Sequence, residues 1–319
     1  MTETTPAEAS WDTAPNLLDG AMNLTLTPQD CNLRYWLQSV PLGTLRGRVD
    51  GYTPGLPIPE YMRKPGPLYD AITKEYAFRA MAEEKAARVL AYLVPVAPDI
   101  DSMEFYVTQV LDEARHAMVF RGHLVELGVP QVHLVDAMEE FAGADRRTIL
   151  DPLEDFALDV MRDKRDFLGG VIVLTVIIEG ALAPAAELSE RKWRMLDPAA
   201  SEIDRGAAID EIRHLTVGAA VGRQHLIDHP EDKPRVLAII RDGMRLWEEL
   251  PIPDLLQRRE QLFQQGMAQY ADVVGDYEIW PGRRLVDTTA DERQDASHRW
   301  STDMKAARLR YMGLAEALT

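Results

Sequence analysis

The run VTQVLDEARHAMVF occupies residues 107–120, and GAAIDEIRHLTVGA occupies residues 206–219. Each sets Asp-Glu-x-Arg-His inside an apolar stretch that reads as buried. Charges in such a place need a partner or a metal ion, because moving an unpaired charge out of water is prohibitive. Two copies of one charged pentapeptide in hydrophobic settings therefore decide how the rest of the chain is read.

Each copy falls on the second arm of an expected helix pair. Residues 68–94 place Ile72, Tyr76, Glu83, Ala87, Leu90 and Val94 along one helical stripe. VPVAPDID breaks the pattern, Asp101 or Ser102 is expected to cap the next helix, and Gly128 and Pro130 end it near Leu127. The second pair covers about 168–196 and 199–228, with a break at Asp197-Pro198. Glu83 and Glu113 are 30 residues apart, and Glu179 and Glu211 are 32 apart. At about 1.5 Å rise per residue, an antiparallel hairpin returns both members of each pair to the same depth. His116 and His214 follow Glu113 and Glu211 by three residues, so each Glu–His pair shares a helix face. Glu84 competes with Glu83, but it shares its side with Arg88, and periodicity favours Glu83.

Four helices then deliver four carboxylates and two imidazoles to one level of a bundle. The segment from Met118 to Ile178 is long enough for the crossover joining two hairpins. This is the ligand set of a carboxylate-bridged two-metal site. Four carboxylates offset two divalent cations, which makes the charge tolerable in a core. Oxygen ligands with one imidazole per metal suit iron or manganese. A lone Glu-x-x-His is weak, but two copies, each matched by an intrahelical Glu at the right depth, are a strong signal.

The remaining chain is read as almost entirely helical, hence all-α. Residues 1–27 are expected to lie loosely on the surface, 30–40 to hold a short helix, and 41–67, with six prolines and five glycines, to form an ordered loop. Residues 131–167 read as helix broken near Gly143 and Pro152, and 234–272 as two helices split at Pro251-Ile252-Pro253. A tail from Gly275 contains an irregular piece and a polar helix. The resulting division is an arm at 1–67, a helical metal domain at 68–272, and a C-terminal segment at 273–319 packing on it. The helix around Glu179, GGVIVLTVIIEGALAPAAEL, is apolar nearly all round and must be central. Pro184 in it is expected to kink the helix or open a π-bulge.

The formal charge of −17 argues against nucleic acid or an anionic membrane as partner. The single cysteine, Cys31, excludes an intrachain disulfide framework and fits a reducing cytoplasm, with a buried, inert thiol expected. The opening MTETTPAEASWD is polar and acidic, unlike a secretory signal. The longest apolar run, VIVLTVII at 171–178, falls short of the roughly 20 residues of a membrane span. There is no Walker loop, dinucleotide glycine fingerprint or nucleophile elbow. His225 and His229 are expected to be exposed polar residues rather than ligands.

Over residues 68–228 the chain resembles the ferritin-like non-haem di-iron oxygenases. The doubled DEARH and DEIRH look most like the hydroxylase subunits of bacterial multicomponent monooxygenases. They are also similar to single-chain di-iron N-oxygenases of natural-product pathways, including those that build azoxy groups. The aminoarene-oxidising branch carries a further His four residues before the last ligand Glu, where this chain has Ala207. The resemblance implies a ferritin-like four-helix bundle with flanking helices, holding two Fe ions (or Mn) on Glu83, Glu113, His116, Glu179, Glu211 and His214. It implies O2 as co-substrate, a small-molecule substrate, and an external electron donor such as a ferredoxin or flavin reductase. A homodimer follows by analogy. Asp112 and Asp210 are expected to accept the free N–H of a metal-bound His, and Arg115 and Arg213 to neutralise those aspartates or the site rim. Tyr76 and His123 are read as core residues or as residues packing behind the ligands. Phe120 stands where radical-storing relatives have Tyr, so no phenoxyl radical is expected. A substrate pocket is expected along Phe120, Ile172, Thr175 and Val176. The implied activity is oxygen transfer to a small molecule, with nitrogen oxidation of an amine or hydrazine ahead of C–H hydroxylation. A non-catalytic ferritin-like subunit is the remaining alternative.

Overall fold

The computed structural model describes residues 6–318. The chain is 76% helix and 2% strand, which is the all-α class. Two short helices, α1 (Leu17–Asn23) and α2 (Leu33–Ser39), precede the long α3 (Pro67–Leu90) and α4 (Ile100–Glu126). Next come α5 (Leu134–Asp145) and α6 (Asp151–Leu158), then α7 (Phe167–Ile172), α8 (Glu179–Trp193) and α9 (Pro198–Asp228). The chain ends with α10 (Lys233–Glu249), α11 (Ile252–Gln269), the single turn α12 (Ala271–Val274) and α13 (Ala290–Tyr311). Strands β1 (Glu278–Trp280) and β2 (Arg283–Arg284) form a small antiparallel hairpin in the irregular piece of the tail.

Local chemistry sets the boundaries of the four long elements. Pro67 opens α3 at a position where its missing N–H costs nothing. The cap of α4 is Asp99, not Asp101 or Ser102: its carboxylate accepts from the Ser102 N–H at 2.8 Å. Gly128, at φ 106°, turns the chain out of α4 in a conformation that a side chain would strain. Asp197 caps α9 by accepting from the Ala200 N–H, and Pro198 begins it.

Helix α3 lies along α4, and α8 lies along α9, while α4 also meets α9. Around these, α11 and α5 cover α3, α13 covers α8 and α11, and α1 packs on α9. The residues before α3 are not loose where they are described. Ala9, Leu17 and Ala21 are buried, and the Leu17 N–H donates to Glu187 at 3.1 Å. No break occurs at Gly143. Helix α5 instead runs through a π-helical turn, Arg146–Leu150, into α6, where Pro152 occupies the first turn.

Another π-helical turn, Val173–Ile178, joins α7 to α8 and ends at Glu179. A π-turn contains one residue more than the α-ladder accommodates, so it displaces a carbonyl from its usual partner. The Ile177 carbonyl is taken up by Trp247 Nε1 of α10 at 2.5 Å. Two glycines make room for this turn. A Cβ on Gly180 would lie 2.5 Å from the Thr175 carbonyl oxygen, and one on Gly218 of α9 would overlap the Thr175 side chain. The run Phe167–Trp193 is long and apolar enough to cross a membrane, yet 78% of its most apolar stretch is buried inside the protein.

Candidate metal centre

Glu83 comes from α3, Glu113 and His116 from α4, Glu179 from the first residue of α8, and Glu211 and His214 from α9. Their side chains converge in two groups that share Glu113. Glu83, Glu113, His116 and Glu211 offer ligand atoms within 4.8 Å of one another, and so do Glu113, Glu179 and His214. His116 Nδ1 is 3.4 Å from Glu113 Oε2 and 3.9 Å from Glu83 Oε2. His214 Nδ1 is 3.1 Å from Glu113 Oε1 and 3.8 Å from Glu211 Oε1. Glu84 turns outward and pairs with Arg88 at 2.8 Å.

The ring nitrogens facing away from the centre are held by the aspartates, and the holding is crosswise. Asp112 of α4 lies 3.4 Å from Nε2 of His214 on α9, and Asp210 of α9 lies 3.3 Å from Nε2 of His116 on α4. An ionised carboxylate only accepts, so each ring donates from Nε2 and, when neutral, turns a bare Nδ1 inward. Arg213 bridges the two aspartates, at 2.8 Å to each, and Arg115 pairs with Asp210.

Two further supports were missed in the sequence. Gln109, one turn before Glu113, donates to Glu179 Oε1 at 2.7 Å. Its i−4 spacing from a ligand was a usable signal. Trp36 of α2 donates to Asp112 Oδ1 at 3.0 Å. Nothing in the linear sequence links position 36 to position 112.

The electrostatics are those of carboxylates and imidazoles crowded together out of water. Burial, then the Glu113 carboxylate, pushes Glu83 well above the ordinary carboxylate range, and burial with Glu211 does the same to Glu179. Burial would raise Glu113 too, but the His116 and His214 rings beside it hold it well below. Burial opposes the charged form of both histidines, yet contacts with Asp210 and Glu113 raise His116, and those with Asp112 and Glu113 raise His214 well above its usual value. Five buried atoms here have no hydrogen-bond partner: His116 Nδ1, His214 Nδ1, Glu113 Oε1, Glu179 Oε2 and Glu211 Oε2. Buried polar atoms are seldom left so. Here the unpartnered atoms are oxygens and imidazole nitrogens converging on one volume, the donor set that suits a first-row divalent metal. The cluster can hold a metal ion.

A cavity of about 140 Å³ opens directly on the ligands, touching Glu83, Glu113, Glu179 and Glu211. Small apolar side chains, including Ala82, Ala86 and Ala183, form much of its wall, and Arg79, Arg259 and Lys192 also line it. It lies between α3, α8 and α11. None of Phe120, Ile172, Thr175 or Val176 lines it. Phe120 packs edge-on against Tyr76, with ring centroids 4.9 Å apart. Ile172 and Val176 face a core shared with α10, and Thr175 fits against Gly218. The π-turn directs Thr175 and Val176 into the core, away from the ligands.

Tyr76 touches none of the ligands through its hydroxyl, which donates to the Ala200 carbonyl at 2.9 Å. His123 pairs with the α9 cap, Asp197, at 2.9 Å. His225 and His229 pair with Asp232 and Glu231 in the surface region and join neither ligand group. Cys31 is buried, and burial pushes its thiol up to about 12, which makes it unreactive at neutral pH. No protein-family model and no curated protein matches this chain.

Proposed function

We propose that this protein is a non-haem di-iron oxygenase of ferritin-like architecture, which activates O2 and transfers oxygen to a small-molecule substrate. The observation that carries this reading is the sharing of Glu113 between two ligand groups, each holding one imidazole with its bare Nδ1 turned inward. Six side chains fit two divalent ions in charge and donor type: four carboxylates against four positive charges. Bound iron at this position would supply the electrons for O2 reduction, two per turn of the pair.

The chain's own residues prepare that chemistry. Asp112 and Asp210 keep the Nε2 protons in place and so fix the tautomer that leaves Nδ1 free. Arg213 pairs with both aspartates and Arg115 with Asp210, which holds the two carboxylates in place behind the imidazoles. Gln109 orients Glu179. The apolar wall of the adjoining cavity keeps bulk water from the reacting end of a substrate.

Nitrogen oxidation of an amine or hydrazine is favoured over C–H hydroxylation by the resemblance of the doubled motif to N-oxygenases. Electrons are assigned to an external donor, a ferredoxin or flavin reductase. A homodimer is supported by exposed Val107, Leu111 and Met118 on one side of α4. The test is an anaerobic Fe(II) titration of metal-free protein followed by rapid mixing with O2. Two irons per chain and a transient visible absorption band are expected. No tight iron uptake, or uptake that survives Glu113→Ala together with His214→Ala, would sink the proposal.

A further inference from the structure

Arg259 of α11 lines the cavity that reaches the ligand carboxylates. The central carbon of its guanidinium lies over the Phe78 ring, 4.4 Å from the centroid. Its Nε and Nη2 are withheld from solvent and have no hydrogen-bond partner. A cation–π contact opposes the charge of a guanidinium but offers no acceptor lone pair to its N–H donors. The Phe78 contact therefore leaves the donors unanswered.

The nearby carboxylates are already engaged. Glu75 is paired with Arg79 and Lys192, each at 3.5 Å. Glu260 is held by Lys192 and Arg293, each at 2.5 Å. Asp204 is held by Arg79 at 3.1 Å. Asp145 is held by Arg258 at 2.8 Å. Five cations, Arg79, Lys192, Arg258, Arg259 and Arg293, thus face four carboxylates, Glu75, Asp145, Asp204 and Glu260, a surplus of one positive charge. Burial raises Asp204 to about 7, and its protonation only enlarges that surplus. At the other end of the cavity, four carboxylates balance two divalent ions, so the surplus is not spent there. A guanidinium with buried, unpaired donors is costly unless a bound anion answers it.

We propose that the substrate is a small organic monoanion whose carboxylate is received by Arg259, with its apolar body along the alanine-lined wall and its reacting end at Glu83 and Glu113. The planar fork of Arg matches a carboxylate in a bidentate pair, and a surplus of one charge fits a monoanion rather than a phosphate dianion. The charge balance and the assignment of the reacting end rest on the di-iron reading, whereas the unpartnered donors of Arg259 do not.

The test is calorimetric titration of the full chain, metal-free and loaded anaerobically with Fe(II). The probes are straight and branched acids from acetate to octanoate, benzoate, the primary amide of each, and inorganic phosphate. At least one acid is expected to bind about tenfold or more tightly than its amide, as a charge-assisted pair requires. That preference collapses in Arg259→Gln and is largely kept in Arg259→Lys, with iron content unchanged in both. No preference for any acid over its amide, or a preference intact in Arg259→Gln, overturns the proposal. So does phosphate binding as tightly as the best acid. A preference that survives Arg259→Gln but disappears with the metal assigns the anion to the ions instead and also overturns it. An acid preference in a chain that takes up no iron keeps the Arg259 site and removes the di-iron reading, and two irons without an acid preference do the reverse.

Discussion

Asp112 is hydrogen-bonded to His214, not to His116, which follows it in its own motif. The partners are 102 residues apart in sequence, and Asp210 reciprocates with His116 across 94. Each copy of the motif therefore supplies a ligand to the centre and the support for the other copy's ligand. Asp112→Asn and Asp210→Asn are each expected to weaken metal binding about 10- to 100-fold, since the imidazole loses the acceptor that fixes its tautomer. Competitive titration against a chelator of known affinity measures this. Unchanged affinity in both variants would contradict the supporting role.

Glu113 belongs to both ligand groups, whereas Glu83 belongs to one and Glu179 to the other. Glu113→Gln is expected to abolish stoichiometric metal uptake. Glu83→Gln and Glu179→Gln should each retain about one ion per chain, because the other group remains. Metal analysis after desalting separates these outcomes, and a Glu113 variant that still holds two ions would remove Glu113 from the shared position.

Without metal, Glu83, Glu179, His116 and His214 all bind protons more tightly in the folded chain than in the unfolded one. For these groups the unfolded state holds fewer protons above the ordinary carboxylate range, so their contribution to stability falls as pH rises through their folded values. Glu113 has the opposite sign, and its contribution is lost as pH falls. A bound metal replaces the extra protons, so its binding should release protons and strengthen with pH. The gap in Tm between metal-loaded and metal-free protein is expected to widen from about pH 5 to about pH 8. A gap that is flat or narrows over that range would exclude proton–metal exchange at these residues.

Gly180→Ala offers a test of the π-turn. In an ordinary helix this change stabilises by up to about 1 kcal/mol. Here the added Cβ meets the Thr175 carbonyl at 2.5 Å, a backbone atom with no rotamer by which to escape. A net loss of about 1–3 kcal/mol is expected, as for overpacking in a core. Chemical denaturation gives the sign directly, and a stabilised variant would mean that the turn relaxes freely.

Trp36→Phe removes the donor to Asp112 Oδ1 while keeping most of the apolar contact. Leaving a buried carboxylate oxygen without that partner should cost about 1–3 kcal/mol. If Trp36→Phe leaves both stability and metal affinity unaltered, the tie between α2 and the centre is incidental.

The carboxylate and histidine cluster was legible because it obeys two periodicities at once. The i,i+3 spacing places Glu113 with His116 and Glu211 with His214, while the 30- and 32-residue separations match an antiparallel return. The choice of Glu83 over Glu84 followed from the same stripe. The pocket was not legible. Its position depends on the extra residue in Val173–Ile178, which redirects Thr175 and Val176, and on α11 closing the opposite side. Neither the register of a π-turn nor the docking of a distant helix leaves a local trace in composition. The ordered packing of residues 6–27 was missed for a similar reason: the partners that fix Leu17 and Ala21 lie on α8, α9 and α13, far along the chain.

The helix that carries Glu179 contains one residue too many for its own geometry, and that surplus is a marker of history as well as of shape. Deleting a single residue between 173 and 178 would restore an uninterrupted α-ladder and rotate Phe167–Ile172 by about 100° relative to Glu179. Gly170, which now fits against Leu93 and Met161, would swing out of contact, and Trp247 would lose the carbonyl that it occupies. Relatives of this chain should therefore tolerate substitutions within the turn far more readily than changes in its length.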